Sequence, residues 1–128
     1  MKIEPTVFVV DDDYAMRKLL THLVRSVRLP VETFETAVGF LAAFTPDRPG
    51  CLVLDVRIPA MSGLELIGKL RGHRAYANTP ILVLTTESGE PFKASARAVG
   101  ATGWLEKPFD PDMLTELVAT LSGAEHPN

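Results

Sequence analysis

Polar residues able to bind a metal or a phosphoryl group follow four of the apolar segments in this chain of 128 residues. The first segment runs out into consecutive aspartates, and a later one ends at a single aspartate. Two further segments run out into threonines and into a lysine. These residues are Asp11-Asp12-Asp13, Asp55, Thr85-Thr86 and Glu106-Lys107-Pro108. If the apolar segments are neighbouring parallel strands, their polar ends meet at the edge where such sheets bind ligands.

The chemistry predicted by this set is metal-assisted phosphoryl transfer to a carboxylate. Carboxylates gathered at one sheet edge repel each other and raise their own pKa values unless a cation holds them. Because the ligands are oxygen atoms without a nearby His or Cys, Mg²⁺ is the expected metal, with Mn²⁺ as a substitute. The Thr85 hydroxyl and the Lys107 ammonium supply donors for phosphoryl oxygens. Together these groups suit in-line phosphoryl transfer to one of the carboxylates.

Five short apolar segments must position these residues, and they alternate with stretches of helical spacing. This alternation is typical of βαβ units around a parallel sheet. The predicted strands span residues 6–10, 31–34, 51–56, 81–84 and 103–105. Since an eight-stranded barrel needs a much longer chain, right-handed crossovers predict an open, doubly wound, three-layer α/β fold with five parallel strands. We expect one domain over residues 1–128, with its core at about 6–121 and a polar tail at 122–128.

Caps and apolar spacing predict five helices between the strands. Their caps or first residues are Asp13, Thr36, Gly63, Pro91 and Asp110. The first and fifth helices place Leu19 and Met113 on their buried faces, and the second carries Val38 among its apolar positions. The first helix leaves Arg17 on the solvent side. The second, which also carries Phe44, ends in the loop at 45–50.

The composition excludes several other classes of protein. Sixteen acidic and thirteen basic residues, with no Lys/Arg cluster, argue against direct nucleic-acid binding. No apolar stretch approaches the length of a membrane span and the N-terminus lacks a signal-peptide pattern, so we expect a soluble, cytoplasmic protein. The single cysteine, Cys51, excludes an intrachain disulfide and is expected to be a small buried hydrophobe. The three histidines show no ligand spacing.

Four stretches, in this order and spacing, resemble the receiver domain of two-component response regulators, the superfamily of the chemotaxis response regulators. The resemblance extends from about Thr6 to Leu121. Its stretches are Phe8-Val9-Val10-Asp11-Asp12-Asp13, Leu52-Val53-Leu54-Asp55-Val56-Arg57-Ile58-Pro59 with Met61-Ser62-Gly63, Leu84-Thr85-Thr86, and Glu106-Lys107-Pro108-Phe109. The resemblance implies the strand order 2-1-3-4-5. It also implies a phosphoprotein of a phosphorelay, which accepts its phosphoryl group from a histidine-kinase phosphohistidine.

Residue by residue, the resemblance assigns the parts of the site. Asp55 matches the phosphoacceptor, Asp12 a direct metal ligand, and Asp11 a ligand that usually reaches the metal through water. The backbone carbonyl of Arg57 matches the remaining protein ligand. Lys107 matches the lysine that contacts the phosphoryl group.

Three further positions match residues that shape the site. Pro59 and Gly63 match residues of the loop beside the acceptor. Pro108 matches a proline whose preceding peptide bond, here that of Lys107, is commonly cis in the family.

Thr85 and Trp104 match the two switch positions of the family, where the hydroxyl moves to the phosphoryl group and the aromatic ring turns inward. Tryptophan departs from the usual Tyr or Phe, and its larger volume bears on how far the ring is buried. Apart from the resemblance, a tryptophan here more often packs a sheet edge. Arg57 and Glu87 match the pair that tunes dephosphorylation, and we hypothesise that they form a salt bridge over the site and slow hydrolysis.

The implied partners are proteins. The phosphoryl donor is a sensor histidine kinase or a histidine phosphotransfer protein, and the recipient of the signal is a downstream protein or a missing output domain. The implied binding face is the fourth helix, fifth strand and fifth helix, at about 91–121, on a monomer or a phosphorylation-dependent dimer. The protein would catalyse its own phosphorylation and also its own dephosphorylation, the latter slowly, without being a conventional enzyme. The first half of the chain resembles receivers attached to helix-turn-helix transcription factors, and the second half resembles stand-alone chemotaxis receivers. Between the two, a complete fifth helix and a brief tail favour a receiver that works alone.

Two other functions are open to the same residues. In a phosphatase of the haloacid-dehalogenase type, Asp11 would be the nucleophile and Asp13 would complete the D-x-D spacing, but Asp55 would then have no role. In a phosphorylation-independent binding module, the site would bind partners without being phosphorylated. That module has little support, because every side chain of the site is present.

Overall fold

The computed structural model describes residues 5–43, 50–87 and 89–123, except for the side chain of Ala75. Each predicted strand and helix is present, and the described residues add a short hairpin and a 3-10 helix at Arg74–Tyr76. The strands and helices in chain order are β1 Thr6–Val10, α1 Tyr14–Ser26, β2 Val31–Phe34, α2 Ala37–Ala43, β3 Gly50–Asp55, β4 Arg57–Ile58, β5 Met61–Ser62, α3 Gly63–Arg71, β6 Ile81–Thr85, α4 Glu90–Val99, β7 Gly103–Glu106 and α5 Pro111–Leu121.

The five longer strands form one parallel sheet in the order β2-β1-β3-β6-β7, and β4 and β5 pair separately as an antiparallel hairpin. Without the hairpin, the order is 2-1-3-4-5, which confirms the predicted doubly wound fold. Every residue of β1 and β6 is buried, because helices cover both faces of the sheet.

Two hydrophobic layers hold the helices against the sheet. Phe40 of α2, Leu66 of α3 and Phe92 of α4 pack on one face. Leu20 of α1 and Leu114 of α5 pack on the other. Both leucines of the second layer are almost fully buried, and truncating a leucine in such a place typically costs about 2–5 kcal/mol. The two layers therefore fix the sheet edge on which the site is built.

The predicted caps Asp13 and Asp110 are present, and the structure adds a capping box at the start of α3. The side chains of Asp13 and Asp110 each accept a hydrogen bond from the backbone N–H two residues on, at the starts of α1 and α5. Ser62 and Glu65 form a capping box at the start of α3. At the end of α4, Gly100 adopts a left-handed φ of 100°.

Three apolar side chains of the helices are exposed. Leu19 is 41 % exposed and Met113 52 %, so their predicted burial was wrong; Val38, named only as an apolar position of the second helix, is 69 % exposed. The spacing of apolar residues does not determine how much of a helix surface packs against the sheet. In α2 the stripe is centred on Ala37 and Phe40, which are buried and turn Val38 outward.

The remaining expectations concern single residues and the membrane. Cys51 is fully buried in the second layer, as predicted for a small hydrophobe. Phe44, the loop at 45–49 and the end of the tail at 124–128 lie outside the described residues. Within the described part of the chain, no helix has both the length and the apolar character needed to cross a membrane.

Candidate functional site

Four adjacent parallel strands bring the predicted polar residues to one edge of the sheet. Asp11 and Asp12 follow β1, Asp55 ends β3, Thr85 ends β6 and Lys107 follows β7. These strands are neighbours in the order β1-β3-β6-β7, so their carboxyl ends meet. The backbone N–H of Lys107 also donates to the carbonyl of Thr85 at 2.7 Å, which ties the end of β7 to that of β6.

Three of these side chains form an acidic cluster, consisting of Asp11, Asp12 and Asp55. One carboxylate oxygen from each lies within 4.8 Å of the others. Asp11 is buried, Asp55 is half-buried and Asp12 is exposed. Carboxylates at such distances repel each other, and this repulsion grows as water is excluded.

Asp11 is the buried member of the cluster, and its two carboxylate oxygens differ. Oδ1 accepts a hydrogen bond from the backbone N–H of Asp13 at 2.8 Å. Oδ2 is buried without a hydrogen-bond partner. Burial raises the pKa of Asp11, and this effect outweighs the backbone hydrogen bond from Asp13, which lowers it. The negative charges of Asp55 and Asp12 raise that pKa further, whereas Lys107 lowers it.

Lys107 brings a positive charge into the acidic cluster. Its Nζ donates to Asp55 Oδ2 at 3.2 Å and lies 3.9 Å from Asp11 Oδ2. The Lys107–Pro108 peptide bond is cis, as the family resemblance implied. The ammonium, which follows the end of β7 at the same edge of the sheet, therefore faces two of the three carboxylates.

The hairpin after β3 shapes the surroundings of Asp55. Oδ1 of Asp55 accepts a hydrogen bond from the backbone N–H of Arg57 at 3.2 Å, at the start of the hairpin. Pro59 lies in the exposed turn between the two hairpin strands. Gly63 then begins α3, and a Cβ at this position would lie 2.7 Å from the backbone oxygen of Asp55. A larger residue would have to displace the backbone of the acceptor.

Thr85 and Trp104 lie on the same face of the sheet. In the register of β6 and β7, Val83 pairs with Trp104 and Thr85 with Glu106, and alternate residues of a strand share a face. Thr85 is fully buried, and its Oγ1 accepts a hydrogen bond from the backbone N–H of Glu87 at 2.8 Å. The half-buried Trp104 packs against the hydrophobic layer that includes α4.

A side chain of α4 covers the outer side of Trp104. The guanidinium carbon of Arg97 lies 5.4 Å from the centre of the indole ring. This separation is within the range of a cation–π interaction. The ring of Trp104 thus contacts apolar residues on one side and a cation on the other.

Arg57 and Glu87 are exposed, and both line a cavity of about 420 Å³ between the hairpin and α4. No ion pair joins them among the residues described here, so the hypothesised salt bridge is not formed. Exposed ion pairs gain little free energy, because water solvates both charges and the side chains lose mobility. The two residues are placed beside the acceptor, but not locked over it.

The acidic cluster fits a hard divalent cation. Its donors are oxygen atoms, which suit Mg²⁺ or Mn²⁺ better than metals that prefer nitrogen or sulfur. The buried Oδ2 of Asp11 has no hydrogen-bond partner, and a bound cation would satisfy it. Asp12 and Asp55 supply the neighbouring carboxylates.

Comparison with known proteins identifies the family of this chain. A family model for the response regulator receiver domain matches residues 7–119. The chain belongs to this family. Among curated proteins, the receiver is 38% identical to the transcriptional regulatory protein FixJ of Bradyrhizobium diazoefficiens over 112 residues, or 88% of this chain and 54% of that protein. It is 43% identical to nodulation protein W of the same organism over 114 residues, or 88% of this chain and 49% of that protein.

A solved structure extends the comparison to the fold. The chemotaxis protein CheY4 of Vibrio cholerae superposes with a TM-score of 0.85 at 36% identity, covering 92% of this chain and 98% of that one. The receiver thus spans nearly all of a chemotaxis protein but about half the length of the curated relatives FixJ and nodulation protein W. Whether it works alone therefore stays a prediction.

Sequence reasoning missed one residue that contacts the site. Arg17 was expected in solvent, yet only 13% of its side chain is exposed, and its Nη1 donates to the backbone oxygen of Asp11 at 2.7 Å. The expectation was wrong because helical side chains point toward the helix N-terminus. A long side chain one turn into α1 can therefore reach back to the loop before it. An arginine four residues after the cap Asp13 was the available signal.

Proposed function

We propose that the receiver accepts a phosphoryl group on Asp55 from the phosphohistidine of a sensor kinase or a histidine phosphotransfer protein, in an Mg²⁺-dependent reaction. The observation that carries this proposal is the meeting of Asp55 with two other carboxylates and with the Lys107 ammonium at 3.2 Å. The metal ligands in this proposal are the carboxylates of the acidic cluster and the backbone carbonyl of Arg57.

Access favours Asp55 over Asp11 as the acceptor. The Asp55 side chain keeps 12% of its surface exposed, whereas that of Asp11 keeps 1%. An acceptor must be reached by a phosphoryl group carried on another protein, and Asp11 is shielded from such a donor. This difference, together with membership of the receiver family, argues against a phosphatase with Asp11 as nucleophile.

The transfer itself replaces one bond to phosphorus by another. A bond forms between a carboxylate oxygen of Asp55 and phosphorus as the phosphorus–nitrogen bond of the donor breaks, and the imidazole nitrogen keeps the electron pair. Bound Mg²⁺ supplies the charge that neutralises the phosphoryl oxygens. The Lys107 ammonium is placed to donate to one of those oxygens. The Oγ1 of Thr85 accepts a hydrogen bond from the backbone N–H of Glu87. A hydroxyl that accepts can still donate its hydrogen, so Thr85 can donate to another phosphoryl oxygen.

Phosphorylation would reach a partner through Thr85 and Trp104. The Thr85 hydroxyl moves toward the phosphoryl group, and the Trp104 ring fills the space on the same face of the sheet. Since Trp104 packs with α4, this change alters the face made by α4, β7 and α5. The recipient is a downstream protein or an output domain in the remainder of a longer regulator. We further propose that the receiver is cytoplasmic and that it is either a monomer or a phosphorylation-dependent dimer.

Arg57 and Glu87 are proposed to set the lifetime of the phosphorylated state. Both line the cavity between the hairpin and α4, and the backbone N–H of Arg57 donates to Asp55, so water approaching the phosphorus from this side would pass their side chains. Their effect would come from occupying this space, since no ion pair joins them in the described residues. Loss of the Arg57 side chain should therefore speed hydrolysis.

Acetyl phosphate with Mg²⁺ provides the test, with intact mass as the readout. The parent receiver should gain one phosphoryl group, and EDTA should prevent this gain. Borohydride reduction of the aspartyl phosphate yields homoserine, so peptide mass identifies the modified residue. Homoserine at Asp55 is the expected result, and an Asp55→Asn variant should remain unlabelled. Homoserine at Asp11 would support the phosphatase instead, and a parent that never gains the group would support the phosphorylation-independent module.

The same labelled protein tests the lifetime. After removal of acetyl phosphate, the label on an Arg57→Ala variant should decay faster than that on the parent. Equal decay would remove Arg57 from the proposed mechanism while leaving the acceptor assignment intact.

A further inference from the structure

We infer that Arg17 is a positioning residue for the metal site, holding the backbone of Asp11 so that its buried carboxylate keeps one oxygen free for the cation. This inference rests on the proposed function, because it concerns the same Mg²⁺ site. Its starting point is the hydrogen bond from Arg17 Nη1 to the backbone oxygen of Asp11 at 2.7 Å. Arg17 has no place among the site residues predicted from the sequence.

The hydrogen bonds of Asp11 explain why this contact matters. Its N–H donates to the carbonyl of Phe34 at 3.0 Å, and its Oδ1 accepts from Asp13 at 2.8 Å. Its carbonyl oxygen accepts from Arg17. In the described part of the chain, Oδ2 alone among the polar atoms of Asp11 has no hydrogen-bond partner. Every other polar atom of Asp11 is used to fix its orientation, and Arg17 is the side chain that takes part.

Arg17 is itself held in place from several directions. It lies in the first turns of α1, whose start is fixed by the Asp13 cap. Its Nη2 lies 3.9 Å from Glu35 Oε1, and its guanidinium carbon lies 5.8 Å from the centre of the Tyr14 ring. A planar guanidinium can direct one N–H to the carbonyl and another to a carboxylate at the same time. Lysine has the charge but lacks this fixed pair of donors.

The contact is made to a backbone oxygen and not to a carboxylate of the acidic cluster. Arg17 therefore acts on the direction of the Asp11 backbone. If only its positive charge mattered, Arg17 would compete with the metal and its removal would strengthen Mg²⁺ binding. If it positions Asp11, its removal should weaken binding. The two accounts predict changes of opposite sign, so one titration separates them.

The test is calorimetric titration of the whole receiver with Mg²⁺, without any phosphoryl donor. Arg17→Met keeps an unbranched apolar stem but removes the donors, and we expect the Mg²⁺ dissociation constant to rise about tenfold, as for other residues that orient metal ligands. The Arg17→Lys variant should also bind Mg²⁺ more weakly than the parent, although it keeps the positive charge. Lys18→Ala is the matched control, because Lys18 also lies near the Tyr14 ring, at 5.5 Å from its centre. It removes the same charge from the same helix and should leave the constant unchanged.

Each result has a defined meaning. Unchanged or tighter Mg²⁺ binding by Arg17→Met overturns the inference, as does full recovery in Arg17→Lys. Should Arg17→Met fail to fold in EDTA, the comparison of Arg17→Lys with the parent decides, and equal binding overturns the inference. A parent that binds no Mg²⁺ overturns the proposed metal site itself, and the inference with it. A parent that binds Mg²⁺ as tightly as its Arg17 variants overturns the inference alone.

Discussion

Replacing Asp11 by asparagine should stabilise the metal-free receiver, although it removes a residue of the proposed metal site. Asp11 is fully buried, and its Oδ2 has no hydrogen-bond partner. Asparagine has nearly the same shape and can keep the Oδ1 contact with the N–H of Asp13. The substitution therefore removes a buried charge with little change in packing.

The expected gain follows from the cost of burying that charge. An unpaired buried polar group costs about 1–3 kcal/mol, and a charged group costs more. The asparagine amide still lacks a hydrogen-bond partner and loses the attraction to Lys107 Nζ, 3.9 Å from Oδ2, so only part of the cost of the buried charge is recovered. We expect about 1–2 kcal/mol in metal-free buffer, which corresponds to a rise in Tm of about 3–8 °C for a domain of this size.

The gain should depend on pH with a definite sign. Burial raises the pKa of Asp11 in the folded state above its ordinary value of 3.8. A raised pKa contributes stability below the unfolded-state pKa, and that contribution is lost as the pH rises through the folded-state value. The difference in stability between Asp11→Asn and the parent should therefore be small in acid and largest at neutral pH.

Thermal unfolding with EDTA and with Mg²⁺ checks both parts of the prediction. At a hundredfold excess over its dissociation constant, Mg²⁺ should stabilise the parent by about 2.7 kcal/mol, whereas Asp11→Asn should gain much less. In Mg²⁺ the Tm of the parent should therefore equal or exceed that of Asp11→Asn. Asp12→Asn is the control, because Asp12 is exposed. It should lose the Mg²⁺ effect without a gain in EDTA. A lower Tm for Asp11→Asn than for the parent in EDTA at neutral pH would refute the reasoning.

Two further predictions concern α3 and Trp104. Gly63→Ala should lower the free energy of unfolding by about 1–3 kcal/mol in a urea titration, because its Cβ would press on the acceptor backbone. Gly68→Ala in the same helix, with nothing within 4 Å of its Cβ, should raise it by about 0.5–1 kcal/mol, and equal effects would contradict this account. Arg97→Ala should increase acrylamide quenching of the single tryptophan, Trp104, because it removes the guanidinium over the ring. Unchanged quenching would mean that Arg97 does not cover the ring in solution.

The sequence predicted the sheet and its polar edge well, for a physical reason. Apolar runs such as the one at 81–84 suit strands buried on both faces, and the residue after each run is placed by the strand itself. Asp55 and Lys107 are far apart in the chain, yet each lies at a strand end. Parallel strands leave little freedom in where those ends meet.

The helical residues were harder to predict, because a helix offers a range of directions. Val38 fits an apolar spacing, but its exposure depends on the rotation of α2 against the sheet. Arg17 fits a solvent-facing spacing, but its length lets it fold back to the carbonyl of Asp11. Arg57 and Glu87 share a cavity without pairing, since exposed side chains have no packing to hold them together. In each case the sequence spacing allows several side-chain directions, and tertiary contacts determine which one is adopted.

The charges of the site explain why a divalent cation suits it. With all three carboxylates ionised, the acidic cluster and the Lys107 ammonium would carry two net negative charges, which one divalent cation would balance. In the proposed phosphorylated state, the phosphoryl group on Asp55 would add negative charge that one divalent cation alone would not balance. Thr85 and Lys107 can both donate hydrogen bonds to this added negative charge, but they differ in kind. Thr85 offers a buried hydroxyl at the end of a strand, and Lys107 offers an ammonium. Only the hydroxyl is packed within the sheet, so in the proposed switch its movement toward the phosphoryl group would open space inside the core. Trp104, on the same face, is the side chain placed to fill that space.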